Sequence, residues 1–265
     1  MAIEPFGFHD LSQLDPLQPH GWASITPSFH FYVHNDFCLP LKFTSGGKVI
    51  GVGTAILHQK TAWLAHIIVD TNFRNQGIGT KITRELITAV QQSGHKTISL
   101  IASAPGEPVY RKLGFIKDTD YLFFKGTKVS SFPERKSTAF ESKFKNQLLD
   151  LDAKVSGENR SRLLAPHLEN SRLILEHKEL TGFYLPSLGE GLILANTKEA
   201  GISLLIEKHG ETEGRIVLPK ENDDGISFLL KNGFTQFLTG SRMHLGPGLN
   251  FYPAMIYNRI GGNLG

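Results

Sequence analysis

The chain has 265 residues, with 28 Lys and Arg against 25 Asp and Glu, a formal net charge of +3. Hydrophobic residues at 40% and charged ones at 20% describe a globular protein and exclude a disordered chain. The length admits one large domain or two small ones at roughly 150 residues each, and a charge balance this slight gives no ground for a nucleic-acid partner.

Residues 1–36 are weakly patterned: 3–6 fit a short strand, and 8–15 fit a helical turn or two stopped by Pro16. Pattern sharpens after that, with strands predicted at 37–43, at 49–57 (carrying Gly51 and Gly53) and at 63–69, the last apolar enough to be central. A polar, glycine-containing loop over 70–79 precedes the clearest helix, whose apolar face is Ile78, Ile82, Leu86, Ala89 and Val90, with Gly94 placed to end it. A strand over 97–102, a short helix with Pro108 in its first turn and Gly114 after it, and one or two strands over 115–124 complete an α/β order.

Residues 125–136 are polar and read as a linker. Helical spacing follows at 144–152 and 160–168, then strands at 173–177, 182–185 and 192–195. Asn196 or Thr197 can cap a helix through Glu207. After a strand at 215–218, Asp223 can cap a short helix ended by Gly233, and strands at 234–238 and 243–245 finish the order. Strand, helix, strand, short helix ending in Gly-Phe occurs twice, at Gly114-Phe115 and Gly233-Phe234, which suggests a divergent internal duplication.

Cys38 is the only cysteine, so no internal disulfide and no cysteine-based zinc site is expected, in keeping with a reducing compartment. The opening MAIEPFGFHD has no basic region or apolar run of a secretory leader, and no stretch approaches the ~20 apolar residues of a membrane span. The expectation is a cytoplasmic protein with no membrane partner. His30 and His34 lie four apart, but without HExxH or neighbouring carboxylates no metal is expected.

The sharpest motif is Val69-Asp-Thr-Asn-Phe-Arg74-Asn-Gln-Gly77-Ile-Gly79-Thr80, between a buried strand and a helix. Its glycines let successive N–H groups face one point, the helix adds its own free N–H groups, and Arg74 adds charge: an anion cradle suited to pyrophosphate. It is neither a Walker loop nor a dinucleotide fingerprint, because Ile82 takes the third glycine position. Taken alone it is equally well a tight strand-to-helix turn.

Arg74-x-x-Gly77-x-Gly79 matches the [QR]xxGx[GA] motif of the GNAT superfamily of acyl-CoA-dependent N-acetyltransferases, and 62–69 resembles that fold's fourth strand. Downstream, Pro108-Val-Tyr110-Arg-Lys-Leu-Gly114-Phe115 resembles the family's second signature. The order of elements further resembles a bacterial subgroup with a second, degenerate GNAT-like domain. Its companion domain is matched by Leu149-Asp-Leu-Asp152, Arg160, Gly191-Leu-Ile-Leu-Ala195, Asn222, Gly233-Phe234 and Ser241-Arg242-Met243. The resemblance implies an α/β (mixed α+β sheet) fold of two tandem GNAT-like acyl-CoA N-acyltransferase domains. A catalytic domain spans 1–128, a linker 129–140 and the degenerate domain 141–265. In the second half no RxxGxG follows the strand at Leu192, and Leu229 stands at the Tyr position. In the first half Ser103 replaces a common Asn.

The resemblance implies transfer of an acetyl group from acetyl-CoA to a primary amine of a small molecule, by direct attack on the thioester. Acetyl-CoA is the expected cosubstrate, bound by Ile67, Ile68, Val69, Arg74, Asn75, Gln76, Gly77, Ile78, Gly79 and Thr80. Val69, on a strand bulged in this family, is the candidate backbone donor to the oxyanion. Tyr110 is placed to protonate the thiolate, its phenol being protonated at neutral pH. His66 is the candidate base, directly or through water, with Glu107 a weaker alternative. Trp22, Phe29 and Tyr32 either wall the acceptor pocket or form core, and residues from 183–188 or 251–257 can add to the cleft. Monomer and homodimer both remain open. The alternative is an acyl-CoA-binding regulatory module with little turnover, motivated by the degenerate second half and by Ser103.

Overall fold

The computed structural model describes residues 2–126, 137–209 and 214–264. Residues 129–136 of the expected linker lie outside them. In the first half, β1 (Ala2–Pro5) and two 3-10 turns lead to α1 (Thr26–His34), β2 (Cys38–Ser45), β3 (Lys48–Leu57) and β4 (Thr61–Val69). Then come α2 (Ile78–Gln92), β5 (Thr97–Ala102), α3 (Glu107–Lys112) and β6 (Ile116–Gly126). The second half holds β7 (Thr138–Ala139), α4 (Lys145–Ser156), α5 (Ser161–Leu164), β8 (Arg172–Glu176), β9 (Glu179–Leu185) and β10 (Leu192–Ala195). It ends with α6 (Lys198–His209), β11 (Gly214–Pro219), α7 (Asp223–Lys231), β12 (Thr235–Leu245) and β13 (Ile256–Asn258).

Most predicted elements fall close to their expected places, but α1 and β13 lie where no element was expected, and three further differences stand out. Residues 160–168 form one α-turn continued by a 3-10 turn, because Pro166 follows directly. Asn222, not Asp223, caps α7, its Oδ1 accepting the Gly225 N–H at 2.8 Å. The strands expected at 234–238 and 243–245 are one strand, β12, kept continuous through polar residues by bulges near Phe237 and at Arg242–Met243.

Strand order in the large sheet is β1-β2-β3-β4-β5-β12-β6-β11. The last long strand of the second half thus lies between β5 and β6 of the first, antiparallel to both. Reciprocally, β6 lies between β12 and β11. The run β5-β12-β6-β11 reads alike from either end, so each half supplies the strand that completes its partner. The apolar core is shared too: Phe29 and Tyr32 of α1 belong to one cluster with Leu148, Leu163 and Phe183 of the second half.

Helix α2 packs against β3 with its apolar stripe, and the two strand glycines permit the approach. A Cβ at Gly53 would lie 2.7 Å from Ile82 Cγ2 and 3.1 Å from Leu86 Cδ1. Gly53→Val gains strand propensity but overfills this contact, and overpacking typically costs about 1–3 kcal/mol. The variant is expected to unfold at lower denaturant with an unchanged slope, measured by urea titration.

Among the described residues no helix is long and apolar enough to cross a membrane.

Candidate active site

Parallel strands β4 and β5 pair only from Thr61↔Thr97 to Trp63↔Ser99. β5 pairs with β12 along its other edge from Ile98 to Ala102, and beyond Trp63 β4 has β3 on one side and no strand on the other. The gap opens at the C-terminal ends of both strands. The loop to α2 and the loop to α3 leave from the same ends, so Gly77 and Tyr110 are brought to one mouth. Unpaired backbone along β4 is a template for an extended chain to add by strand-like hydrogen bonding.

A bulge shapes this edge. Thr54 pairs with Ala65 and Val52 with Ile68, so two residues, His66 and Ile67, oppose Gly53 alone. Alternation shifts accordingly: Ala65 and Ile68, three apart, enter one core, while Ile67 and Val69 pack on the other. The bulge lies earlier than Val69, which pairs in register with Gly51. The side chains of Ile67, Ile68 and Val69 are committed to packing, so what they offer the gap is backbone.

The cradle begins with Asp70, whose Oδ1 accepts the Asn72 N–H at 2.9 Å. Asn75 and Gly77 adopt φ of +61° and +75°. Such left-handed residues turn neighbouring N–H groups inward. Gly77 caps α2 with no side-chain acceptor, and the first turn holds no acid, so its free N–H groups and positive end are uncompensated. Open space surrounds Gly77, and a Cβ at Gly79 would approach nothing nearer than 3.7 Å. Arg74 is exposed and donates its Nε to the Val69 carbonyl at 3.1 Å. Asn75 and Gln76 are exposed, Thr80 is half-buried, and Ile78 turns into the core. This donor set fits the phosphates of a coenzyme A.

Tyr110 stands on α3, half-buried, its ring edge-on to Phe115 at 5.8 Å. Burial pushes its phenol up to about 12. Among the described residues no side chain bonds its hydroxyl. Glu107 is spent elsewhere: it accepts from Ser241 Oγ at 2.6 Å and from Arg111 at 2.6 and 2.9 Å. The Ser241 bond and then Arg111 hold its carboxyl below the usual range, which removes it as a base. Ser103 is exposed in the loop before α3.

His66 sits on the bulge with φ +47°, a strained conformation for a non-glycine residue. Its Nδ1 lies 2.7 Å from the Tyr32 hydroxyl. Trp22, Phe29 and Tyr32 surround its ring at 6.2, 5.9 and 5.7 Å between centroids. Phe29 and Tyr32, only 0% and 1% exposed, support His66 from the core and do not wall an open pocket; Trp22, 54% exposed, is the one of the three free to meet an acceptor. Phe183, Leu185, Leu188 and Tyr257 are likewise buried core, not cleft.

Burial lowers the His66 imidazole to about 4, and His58 to about 4 as well, from an ordinary 6.5. Both are neutral in the folded chain between those values, whereas the unfolded chain takes up protons there. Stability is therefore complete above about pH 7 and lost as pH falls from 6.5 towards 4. A melting temperature that starts to fall near pH 6.5, above the carboxylate range, is the expected result.

The equivalent gap in the second half is filled. Strand β13 pairs with β10, and on its other side Arg259 N–H donates to the Val217 carbonyl of β11 at 3.0 Å. Asn258 Oδ1 accepts the Val217 N–H at 2.8 Å, and its Nδ2 donates to the Gly191 carbonyl at 2.7 Å. The Tyr257 ring lies where a Cβ on Gly201 of α6 would stand, 2.1 Å away. Only Asn196 and Thr197 separate β10 from α6, leaving no loop to form a cradle. Asn263 and the β13 plug carry no motif; the role of Asn263 comes from a contact across the halves and that of β13 from contacts within the second half.

Residues 32–131 match the family model of the acetyltransferase (GNAT) domain. An uncharacterized N-acetyltransferase, ycf52, of Porphyra purpurea is 37% identical over 60 residues, 23% of this chain and 33% of that protein. Its namesake in Pyropia yezoensis is 30% identical over 82 residues, 30% and 46% of the two chains. The chain thus spans less than half the length of these curated relatives. A candidate acetyltransferase of Pyrococcus horikoshii shares the fold over 100% of this chain and 95% of its own, at TM-score 0.87 and 20% identity. A tandem GNAT protein from the clavulanic acid biosynthesis pathway does so over 93% and 99%, at TM-score 0.61 and 11% identity. Residues 32–131, less than half of the chain, are thus what resembles a GNAT acetyltransferase domain. The fold of the chain as a whole is that of two GNAT-like halves in tandem.

Proposed function

We propose that the protein transfers an acetyl group from acetyl-CoA to a primary amine of a small molecule, with catalysis carried by residues 1–128 and residues 141–265 as a non-catalytic companion. The observation that carries this reading is the parting of β4 from β5 beside an uncapped helix start and Tyr110. Acetyl-CoA, when bound, supplies the activated acyl group. The cradle at Arg74–Thr80 binds its phosphates with backbone N–H groups. The unpaired edge of β4, from Ile67 to Val69, orients the extended arm, and backbone N–H there donates to the acyl oxygen. Tyr110 keeps its proton at neutral pH and gives it to the departing sulfur. The acceptor enters as its free amine, the ammonium proton having been given up to bulk solvent, because a His66 held near 4 does not retain that proton at neutral pH. Trp22 offers an aromatic face to the acceptor.

Thiol release from acetyl-CoA with a panel of small amines tests this. Turnover with at least one amine is expected. Acetyl-CoA binding without turnover, and no effect of Tyr110→Phe, would instead favour a regulatory acyl-CoA-binding module.

A further inference from the structure

The Tyr32 hydroxyl stands between two partners. It accepts from Asn263 Nδ2 at 2.9 Å and lies 2.7 Å from His66 Nδ1. A phenol has a single proton. With its oxygen occupied by the amide donor, that proton is directed to His66 Nδ1. The neutral imidazole then carries its own hydrogen on Nε2.

Asn263 comes from the other half of the molecule. The segment that carries it is anchored at Ile256 by Asn222 Nδ2, 2.9 Å from the Ile256 carbonyl. It is held further by Arg259 on the Glu190 carboxylate at 3.0 and 3.1 Å. The Glu190 N–H bonds the Ile260 carbonyl at 2.5 Å. The strand that plugs the second gap thus runs on into the first site.

We propose that Asn263 is a positioning residue which, through Tyr32, fixes His66 as the Nε2–H tautomer, so that the β4 bulge presents a hydrogen-bond donor. The second half then serves the first by delivering this amide. The tautomer assignment stands on the hydrogen bonds alone; a part in acyl transfer rests on the function proposed above.

The test is a long-range ¹H–¹⁵N correlation spectrum of the full chain with ¹⁵N-labelled histidine at pH 7 to 8. The His66 signals are identified by their loss in His66→Gln. The wild type is expected to show the Nε2–H pattern. Asn263→Asp places an acceptor where the donor was. It draws the Tyr32 proton, leaves Tyr32 to accept from Nδ1–H, and reverses the pattern. Tyr32→Phe removes the relay and gives both tautomers. An Nδ1–H pattern in the wild type, or an unchanged pattern in Asn263→Asp, overturns the proposal. In assays, Asn263→Asp is expected to lower kcat about tenfold or more with acetyl-CoA KM unchanged. Absence of turnover in the wild type would sink the acyl-transfer reading, while the spectra still decide the tautomer.

Discussion

Tyr110→Phe is expected to lower kcat by about 10²–10⁴-fold, the usual contribution of a positioned general acid, while acetyl-CoA affinity stays nearly unchanged. The substitution removes one oxygen from a half-buried ring and keeps its packing against Phe115 and the helix start at Gly106. A purely structural tyrosine would lose stability, not turnover. Burial holds the phenol near 12, so no loss of activity from its ionisation is expected in the neutral range. Stopped-assay turnover and calorimetric affinity on the same preparation separate the two outcomes.

Gly77→Glu is expected to weaken acetyl-CoA binding at least about a hundredfold, equivalent to about 2.8 kcal/mol. Two effects act together. At φ +75° a side chain is strained, typically by about 1–2 kcal/mol. The carboxylate also becomes the anion that the uncapped start of α2 receives, competing with phosphate. Gly77→Ala shares the strain without the charge and is expected to bind far better than the Glu variant. Equal loss in both would assign the effect to loop distortion.

Much of the first half was legible because its features are local. The cradle is a run of adjacent residues, and α2 announces itself by Ile78, Ile82, Leu86 and Val90, all buried. The exchange of β6 and β12 was not legible, since alternation along a strand does not say which strands flank it. Polar residues in β12 broke the pattern, yet they are engaged inside the molecule: Ser241 donates to Glu107, and Arg242 pairs with the Asp118 carboxylate at 3.5 Å with its guanidinium over the Phe251 ring at 3.9 Å. Phe29 and Tyr32 were ambiguous because an aromatic-rich stretch suits a pocket wall and a core equally, and helix α1, which carries them, was not read from the weak pattern of 1–36. Asn263 carried no signal, as its partner lies 231 residues away. The position of the bulge, at His66 and Ile67, was not legible because an extra residue leaves no mark in a short apolar run.

The second half keeps its strand order but has closed its own gap with β13, and this asymmetry makes the central claim countable. Isothermal titration of the full chain with acetyl-CoA reads it directly. One site per chain is predicted, lost in Gly77→Glu. Two sites per chain, or none, would contradict it.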